Sequence, residues 1–170
     1  LGQDTLVGGK GDDSIVGGDG NDFIVTDEGL EVEELFSQLQ DDGQFFTLVG
    51  SKNIPSNADT VDAGEGDDRI YAGGQDEITT GTGMDTVGAG DWMNDDEVVT
   101  VTDFEKGADL LVYAYEITED TAPVVTFTNS PENNAEVRID GEVQMVLQNV
   151  NHTTLTLSDV QLRAYGHMPL

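Results

Sequence analysis

The stretch GGKGDDSIVGGDGNDFIV (residues 8–25) consists of two consecutive nine-residue units built on one plan. Each unit has a glycine pair, any residue, a third glycine, any residue and an aspartate, and then a short tail with an apolar residue at its centre. Glycine supplies the positive φ that a tight turn needs, and it allows backbone carbonyls to converge on one point. The tail is long enough for a minimal strand with one inward side chain. The stretch therefore predicts a tight turn and a short strand every nine residues.

The same unit recurs over the first hundred residues. Its aspartate is followed two positions later by an apolar residue, and this pair returns after an interruption. One unit cannot bury its apolar residue alone, whereas stacked units bury a continuous ladder, so the pattern predicts a solenoid with two units per coil. The pairs are Asp4 with Leu6, Asp13 with Ile15, Asp22 with Ile24, Asp59 with Val61, Asp68 with Ile70, Asp76 with Ile78, Asp85 with Val87 and Asp96 with Val98.

The net charge narrows the possible partners. The chain has 35 acidic residues against 6 basic ones, for a formal net charge of −29, which argues against nucleic acid and anionic membrane as partners. The absence of cysteine excludes disulfides and thiolate metal sites, and no apolar run is long enough to span a membrane. In a solenoid with two units per coil, aspartates of every second turn stack on one edge and repel each other. Calcium, which takes about six to eight oxygen ligands, would remove this conflict.

The best-formed units are GGKGDDSIV, GGDGNDFIV, AGEGDDRIY and TGTGMDTVG, and with them the sequence resembles the RTX (repeats-in-toxin) family of secreted bacterial proteins over residues 1–27 and 57–99. The resemblance implies an all-β fold, a parallel β-roll (a right-handed β-solenoid), with several calcium ions that are each shared between one turn and the next on the same edge. It implies side-chain ligands from Asp4, Asp13, Asp22, Asp59, Asp68, Asp76, Asp85 and Asp96. It implies backbone carbonyl ligands at or beside Gly9, Gly11, Gly18, Gly20, Gly64, Gly66, Gly74, Gly81 and Gly83.

The order of the aspartates along each edge depends on the interruption. If it replaces a single turn, one edge holds Asp4, Asp22, Asp68 and Asp85, and the other holds Asp13, Asp59, Asp76 and Asp96. The turns around Asp59 and Asp76 lack part of the glycine set, so we expect weaker or empty sites there.

The interruption, residues 27–56, has a different pattern. In DEGLEVEELFSQLQ the apolar residues fall at helical spacing, at Val32, Leu35, Phe36 and Leu39. The segment QFFTLV then predicts a strand. We expect this insertion to cover the side of the roll, with partner binding as the alternative.

Residues 100–170 predict a β-rich capping segment of ordinary strands, with Asp140 and Gly141 as a hairpin turn. The stretches VTDFEKGADLLVY and DGEVQMVLQNVNHTTLTLSDVQL resemble the region that follows the repeats in RTX proteins. In that family the C-terminal end carries an uncleaved signal for type I secretion. The resemblance thus implies a protein secreted from a Gram-negative bacterium, with the type I secretion apparatus as a partner.

No constellation for catalysis stands out. His152 and His167 have no HExxH motif around them, and the paired acids, such as Asp12 and Asp13, lie where metal ligation or turn solvation is expected. We therefore expect no catalytic residues and no organic cofactor. The leading hypothesis is a calcium-dependent folding and secretion module of a larger exported protein, with an upstream domain in the same polypeptide, because the chain begins with what reads as half a unit. The alternative is a calcium-stabilised adhesin or carbohydrate-recognition module that uses the insertion or an exposed Trp92.

Overall fold

The structure, a computed structural model, describes residues 2–27, 57–94, 96–116 and 122–165. These residues form β-strands and one short 3₁₀ helix, with no α-helix among them. The fold of the described chain is therefore all-β, as predicted. The strands are β1 (Thr5–Gly9), β2 (Ser14–Asp19), β3 (Phe23–Asp27), β4 (Thr60–Glu65), β5 (Arg69–Tyr71), β6 (Glu77–Thr79), β7 (Thr86–Gly90), β8 (Val99–Val101), β9 (Leu110–Glu116), β10 (Val125–Asn129), β11 (Ala135–Ile139), β12 (Glu142–Leu147) and β13 (Val160–Tyr165), and the 3₁₀ helix is His152–Thr154.

Successive strands alternate between two sheets from β1 to β9. One sheet has the order β1-β3-β5-β7-β9-β13, and all its neighbours are parallel. The other has the order β10-β11-β12-β8-β6-β4-β2, parallel from β2 to β12 and antiparallel only in its last two pairs. Because the chain returns to the same sheet at every second strand, every second turn lies on the same edge.

The core consists of two ladders of apolar side chains, one from each sheet. In the first sheet the residues opposite one another are Leu6, Ile24, Ile70, Val87 and Leu111. In the second sheet they are Ile15, Val61, Ile78, Val101 and Leu147. All of these are buried except Leu6, which is half-buried at the end of its sheet.

The prediction that Val98 continues the ladder is wrong. Val101 lies opposite Ile78, and Val99 and Val101 are the buried residues of β8, whereas Val98 is partly exposed. The irregular turn before β8 is longer than the sequence pattern suggested, so the strand begins at Val99 and its register against β6 is shifted by three residues.

The C-terminal strands extend the same two sheets. β8 crosses the predicted boundary between residues 99 and 100, and β12 pairs with it in parallel, while β13 pairs with β9. Asp140 and Gly141 connect β11 to β12 with φ values of 52° and 95°, the positive φ pair that a two-residue hairpin turn requires. Of the predicted insertion, Asp27 ends β3, and residues 28–56 lie outside the described part of the chain, so the helix and strand predicted there remain predictions.

Candidate metal centre

A column of aspartates runs along the edge where the second sheet leads into the first. We call Asp4, Asp22, Asp68, Asp85 and Asp109 the first column. The backbone N–H of each member donates to Oδ1 of the next member, at 2.8 Å for Asp4 to Asp22, 2.7 Å for Asp22 to Asp68 and 2.8 Å for Asp68 to Asp85. The last step, from Asp85 to Asp109, is 3.2 Å. The predicted order of the first four is therefore confirmed, and Asp22 and Asp68 are neighbours across the insertion.

The opposite edge carries a second column, formed by Asp13, Asp59 and Asp76. The N–H of Asp13 donates to Oδ1 of Asp59 at 2.7 Å, and the N–H of Asp59 donates to Oδ1 of Asp76 at 3.0 Å. The relative order predicted for these three aspartates is also confirmed. In every column aspartate after the first of its column, Oδ1 is thus occupied by a backbone donor from the preceding coil.

The second oxygen has no such donor in most of the column. Oδ2 of five column aspartates is buried and has no hydrogen-bond partner: those of Asp13, Asp22, Asp59, Asp68 and Asp85. A buried anionic oxygen without a partner is costly, and such groups usually coordinate a cation. Five in register on two edges indicate a repeated cation site.

Backbone carbonyls converge on the same places. A Cβ at Gly17 would lie 2.6 Å from Oδ2 of Asp22 and would also overlap the carbonyl oxygen of Ala63. At Gly8 it would meet the carbonyl oxygen of Thr26 at 2.5 Å, Cδ1 of Ile15 at 3.1 Å and Oδ2 of Asp13 at 3.3 Å. The space that a side chain would fill is therefore lined by a carboxylate and a carbonyl from the following coil. These hard oxygen donors fit calcium.

The turn glycines keep consecutive coils close together. A Cβ at Gly66 would overlap the carbonyl oxygen of Gly20, and one at Gly83 would overlap that of Gly66. Both glycines have positive φ, 137° and 148°. The predicted glycines with positive φ are Gly9, Gly11, Gly18, Gly20, Gly64, Gly66, Gly81 and Gly83. Gly74 is not among them, because in its shorter turn Gln75 takes the left-handed conformation, with φ of 71°.

Burial and stacking raise the pKa of several column aspartates, so keeping these carboxylates charged costs free energy. Burial, with a smaller contribution from Asp109, raises the pKa of Asp85 to about 6. Burial also raises the pKa of Asp59 and of Asp68, each with an added contribution from a neighbouring carboxylate. These three carboxylates thus resist ionisation when no cation accompanies them, and a divalent cation between the turns would reverse this effect.

In Asp76 and Asp109, unlike the five aspartates above, the second carboxylate oxygen also accepts a hydrogen bond. Oδ2 of Asp76 accepts from the N–H of Gly73 at 2.9 Å, and Oδ2 of Asp109 accepts from the N–H of Glu105 at 2.7 Å. Both carboxylates therefore have a backbone donor on each oxygen, supplied on one side by their own turn. Burial raises the pKa of Asp76 to about 6 and also raises that of Asp109, so hydrogen bonds do not remove the cost of burying the charge.

Asp96 does not lie in the second column, and its predicted place there is wrong. It is exposed, and Val99 rather than Asp96 stands at the position that follows Asp76 in the register. The neighbouring Glu97 is buried instead and accepts from the N–H of Asn94 at 3.0 Å and from its Nδ2 at 2.6 Å. The enlarged turn is thus held by its own side chains.

The recognition hypothesis requires an exposed Trp92, and the structure buries this residue instead. It is 3% exposed, and its Nε1 donates to the carbonyl oxygen of Ala72 at 3.1 Å. His152 is partly exposed, with Nδ1 3.3 Å from Oδ1 of Asn129, and His167 lies outside the described residues.

The sequence pattern did not lead us to Asp109, Gly8 or Gly17. Asp109 nevertheless stands two residues before buried Leu111, the same spacing as in every repeat.

The described residues contain no group of three or more acidic, histidine or cysteine side chains that could hold a metal by themselves. A site built from column aspartates therefore depends on backbone carbonyls for much of its ligand set. In the same part of the chain, no helix is long and apolar enough to cross a membrane.

The repeats match a known protein family. Residues 1–29 and 56–87 match the RTX calcium-binding nonapeptide repeat, in four copies. No curated protein matches the chain significantly. The matched residues carry both columns from Asp4 to Asp85 and end before β8.

Proposed function

The repeats of this chain belong to the RTX calcium-binding nonapeptide family, and from this premise we propose that several calcium ions bind between consecutive turns on both edges and that their binding drives folding. The single observation that carries the proposal is the set of five buried carboxylate oxygens without a hydrogen-bond partner. Each would give a side-chain ligand, and carbonyls such as those of Ala63 and Thr26 would complete the oxygen set. The two-sheet stack is then the parallel β-roll expected from the resemblance.

The mechanism follows from the charge. At a formal net charge of −29, the chain without calcium opposes its own compaction. Calcium lowers the repulsion within each column and lets neighbouring turns approach, so metal binding supplies folding free energy. Extracellular calcium modules have dissociation constants of about 10⁻⁴–10⁻³ M, which fits a switch between low and high calcium.

In a larger exported protein this coupling has a direct use. The segment would stay unfolded where calcium is scarce, pass through a type I secretion apparatus, and fold and stabilise its upstream domain outside the cell. The proposal is one of binding rather than catalysis. The RTX repeats support it, and the continuation of both sheets into the C-terminal strands agrees with a capping role for residues 100–170.

The adhesin or carbohydrate-recognition alternative loses one of its two supports. Trp92 is buried and hydrogen-bonded, so it offers no exposed aromatic surface to a sugar. The other support, the insertion, lies outside the described residues except for Asp27.

Calcium titration from a chelated start tests the proposal, followed by far-UV circular dichroism and by the fluorescence of Trp92. Trp92 becomes buried against Ala72 only when the second edge is assembled, so its emission reports coil packing. We expect a cooperative transition from coil to β-structure with calcium, and none with magnesium at the same concentration, because magnesium demands a stricter octahedral shell. Full β-structure in chelator would overturn the proposal.

A further inference from the structure

The residue immediately before a column aspartate makes a second set of contacts between coils. We infer that this fifth-position residue of the repeat is a positioning residue for the calcium sites, which holds the next turn at the separation the ion needs. The fifth-position residues in this role are Asp12, Asn21 and Asp67. The inference rests on the proposed calcium binding and deepens it.

The contacts run between neighbouring turns on both edges. The N–H of Asp67 donates to Oδ1 of Asn21 at 3.1 Å, and the N–H of Met84 donates to Oδ1 of Asp67 at 2.9 Å. On the other edge, the N–H of Ala58 donates to Oδ1 of Asp12 at 3.2 Å. In each case the donor belongs to the following coil and its residue type is irrelevant, because only its backbone takes part.

The direction of these bonds is opposite to that of the columns. A column aspartate accepts from the preceding coil, as Asp68 accepts from Asp22, whereas a fifth-position side chain accepts from the following coil, as Asn21 accepts from Asp67. Two adjacent turns are therefore joined by a reciprocal pair of bonds. The pair fixes their separation and prevents one turn from rotating against the other.

The ladder stops where the fifth-position side chain cannot accept. Met84 and Ala58 have no side-chain oxygen, and the corresponding backbone donors of the next coil bond elsewhere. The N–H of Ala108 donates to the carbonyl oxygen of Glu105 at 3.1 Å, and the N–H of Gln75 donates to that of Val98 at 3.1 Å. The contact thus depends on the side-chain oxygen, not on the stacking of strands alone.

These bonds join the same turns whose carboxylates face one another. Asp22, Asp68 and Asp85 each have a buried Oδ2 without a partner, and Asn21 and Asp67 brace the turns that carry them. A site whose ligands are held in place by surrounding hydrogen bonds loses less entropy when the ion binds. Both an amide and a carboxylate serve in this role, so the oxygen is required and the negative charge is not.

Three variants of the full chain separate these requirements. Asp67→Ala removes the accepting oxygen, Asp67→Asn keeps an accepting oxygen and removes the charge, and Asp62→Ala removes an equal charge from an exposed position on β4. The measurements are the folding equilibrium constant at fixed calcium, from urea titrations followed by circular dichroism, and the number of bound calcium ions. We expect Asp67→Ala to lower the constant about five- to tenfold, because the Met84 N–H loses its acceptor. Asp67→Asn and Asp62→Ala stay within about twofold of the parent, and the number of ions is unchanged in all three.

Each other outcome overturns the inference in a recognisable way. If Asp67→Ala lowers the folding equilibrium constant no more than Asp62→Ala does, the fifth-position bond does not position the turn. If Asp67→Asn lowers the folding equilibrium constant as much as Asp67→Ala, or if Asp67→Asn loses a calcium ion, Asp67 acts through its charge as a ligand. If the parent chain itself does not fold with calcium, the proposed function fails, and the inference fails with it.

Discussion

The turns between β1 and β7 and the turns that follow β8 both place aspartates at buried positions, but they satisfy them differently. In most of the repeat turns the second carboxylate oxygen is left without a donor, as in Asp22 and Asp68, whereas in the shorter turn of Asp76 the N–H of Gly73 reaches it. In the C-terminal turns a local N–H reaches it, from Glu105 to Asp109 at 2.7 Å and from Thr156 to Asp159 at 2.7 Å. The same two sheets therefore contain one region whose carboxylate oxygens a cation would satisfy and one that supplies its own donors.

The difference lies in the chemistry of the turn. A glycine-rich turn with positive φ lets the following coil's carbonyls approach the carboxylate, which makes an oxygen-lined space. A turn such as TDFEKGAD folds back and directs an N–H to the carboxylate. The proposed calcium dependence is thus a property of the turns rather than of the strands that they connect.

We expect the largest loss of stability where a turn has no room for any side chain. Gly66→Ala introduces a Cβ that overlaps the carbonyl of Gly20 at a φ of 137°, so the two turns must separate. We expect the free energy of unfolding in saturating calcium to fall by more than about 3 kcal/mol, from backbone strain and weakened metal binding together. Urea unfolding followed by circular dichroism measures it.

Gly107→Ala is the matched control in the C-terminal turns. Its φ of 89° imposes similar strain, but a Cβ there has nothing within 4 Å. We expect a loss of about 1–2 kcal/mol. Equal losses for the two variants would show that the close stacking of the repeat turns does not matter for stability.

A second comparison exchanges carboxylate for amide in each region. At calcium a hundredfold above the dissociation constant, a lost site removes about 2.7 kcal/mol, so Asp68→Asn should lower stability by about that amount and reduce the number of bound ions by at least one. Asp109→Asn should cost about 1–3 kcal/mol, because one of its two backbone donors loses its acceptor. Native mass spectrometry counts the ions, and an unchanged count in Asp68→Asn would contradict its role as a ligand.

Calcium binding should depend on pH through the column carboxylates. Burial raises the pKa of Asp85 to about 6 in the folded chain without calcium, so the stabilisation from its protonated form is fully present below the ordinary pKa and is lost as the pH rises through about 6. Calcium competes with the proton for the same oxygens, so calcium affinity should fall as the pH is lowered from 7 to 5. Calcium titrations at several pH values measure this. Affinity independent of pH in this range would contradict the assignment.

The smallest effect is expected at the enlarged turn. Trp92→Phe removes the Nε1 donor to the carbonyl of Ala72 and leaves the rest of the aromatic contact. We expect a loss of about 1 kcal/mol, measured by urea unfolding with circular dichroism, and no change in the number of bound ions. Fewer bound ions in this variant would show that the turn takes part in a metal site.

The regular part of the fold could be predicted because each turn repeats the same geometry. The spacing of Asp13 and Asp22 places their strands in opposite sheets, and the apolar residue two positions later always points into the core. Even the pairing of Asp22 with Asp68 followed, because an insertion that replaces one turn leaves the strand register of the coil intact.

The irregular turns could not be predicted in the same way. The turn before β8 carries extra residues, and nothing in the sequence pattern shows that Glu97 rather than Asp96 is buried in it. Asp109 follows a turn without the glycine pair, although its spacing to Leu111 would have shown its column position. Which carboxylate oxygen receives a local donor depends on the path of a single turn, and composition does not specify that path.

The contacts that join coils also determine how the module would respond to force. Each coil bonds only to the coil before it and the coil after it, through parallel strands and reciprocal turn bonds. A pull on the N-terminal strand would therefore peel β1 and β2 away first, and each detached coil would release its ions before the next one yields. Such a chain lengthens in small steps under tension, with local calcium as the control on each step.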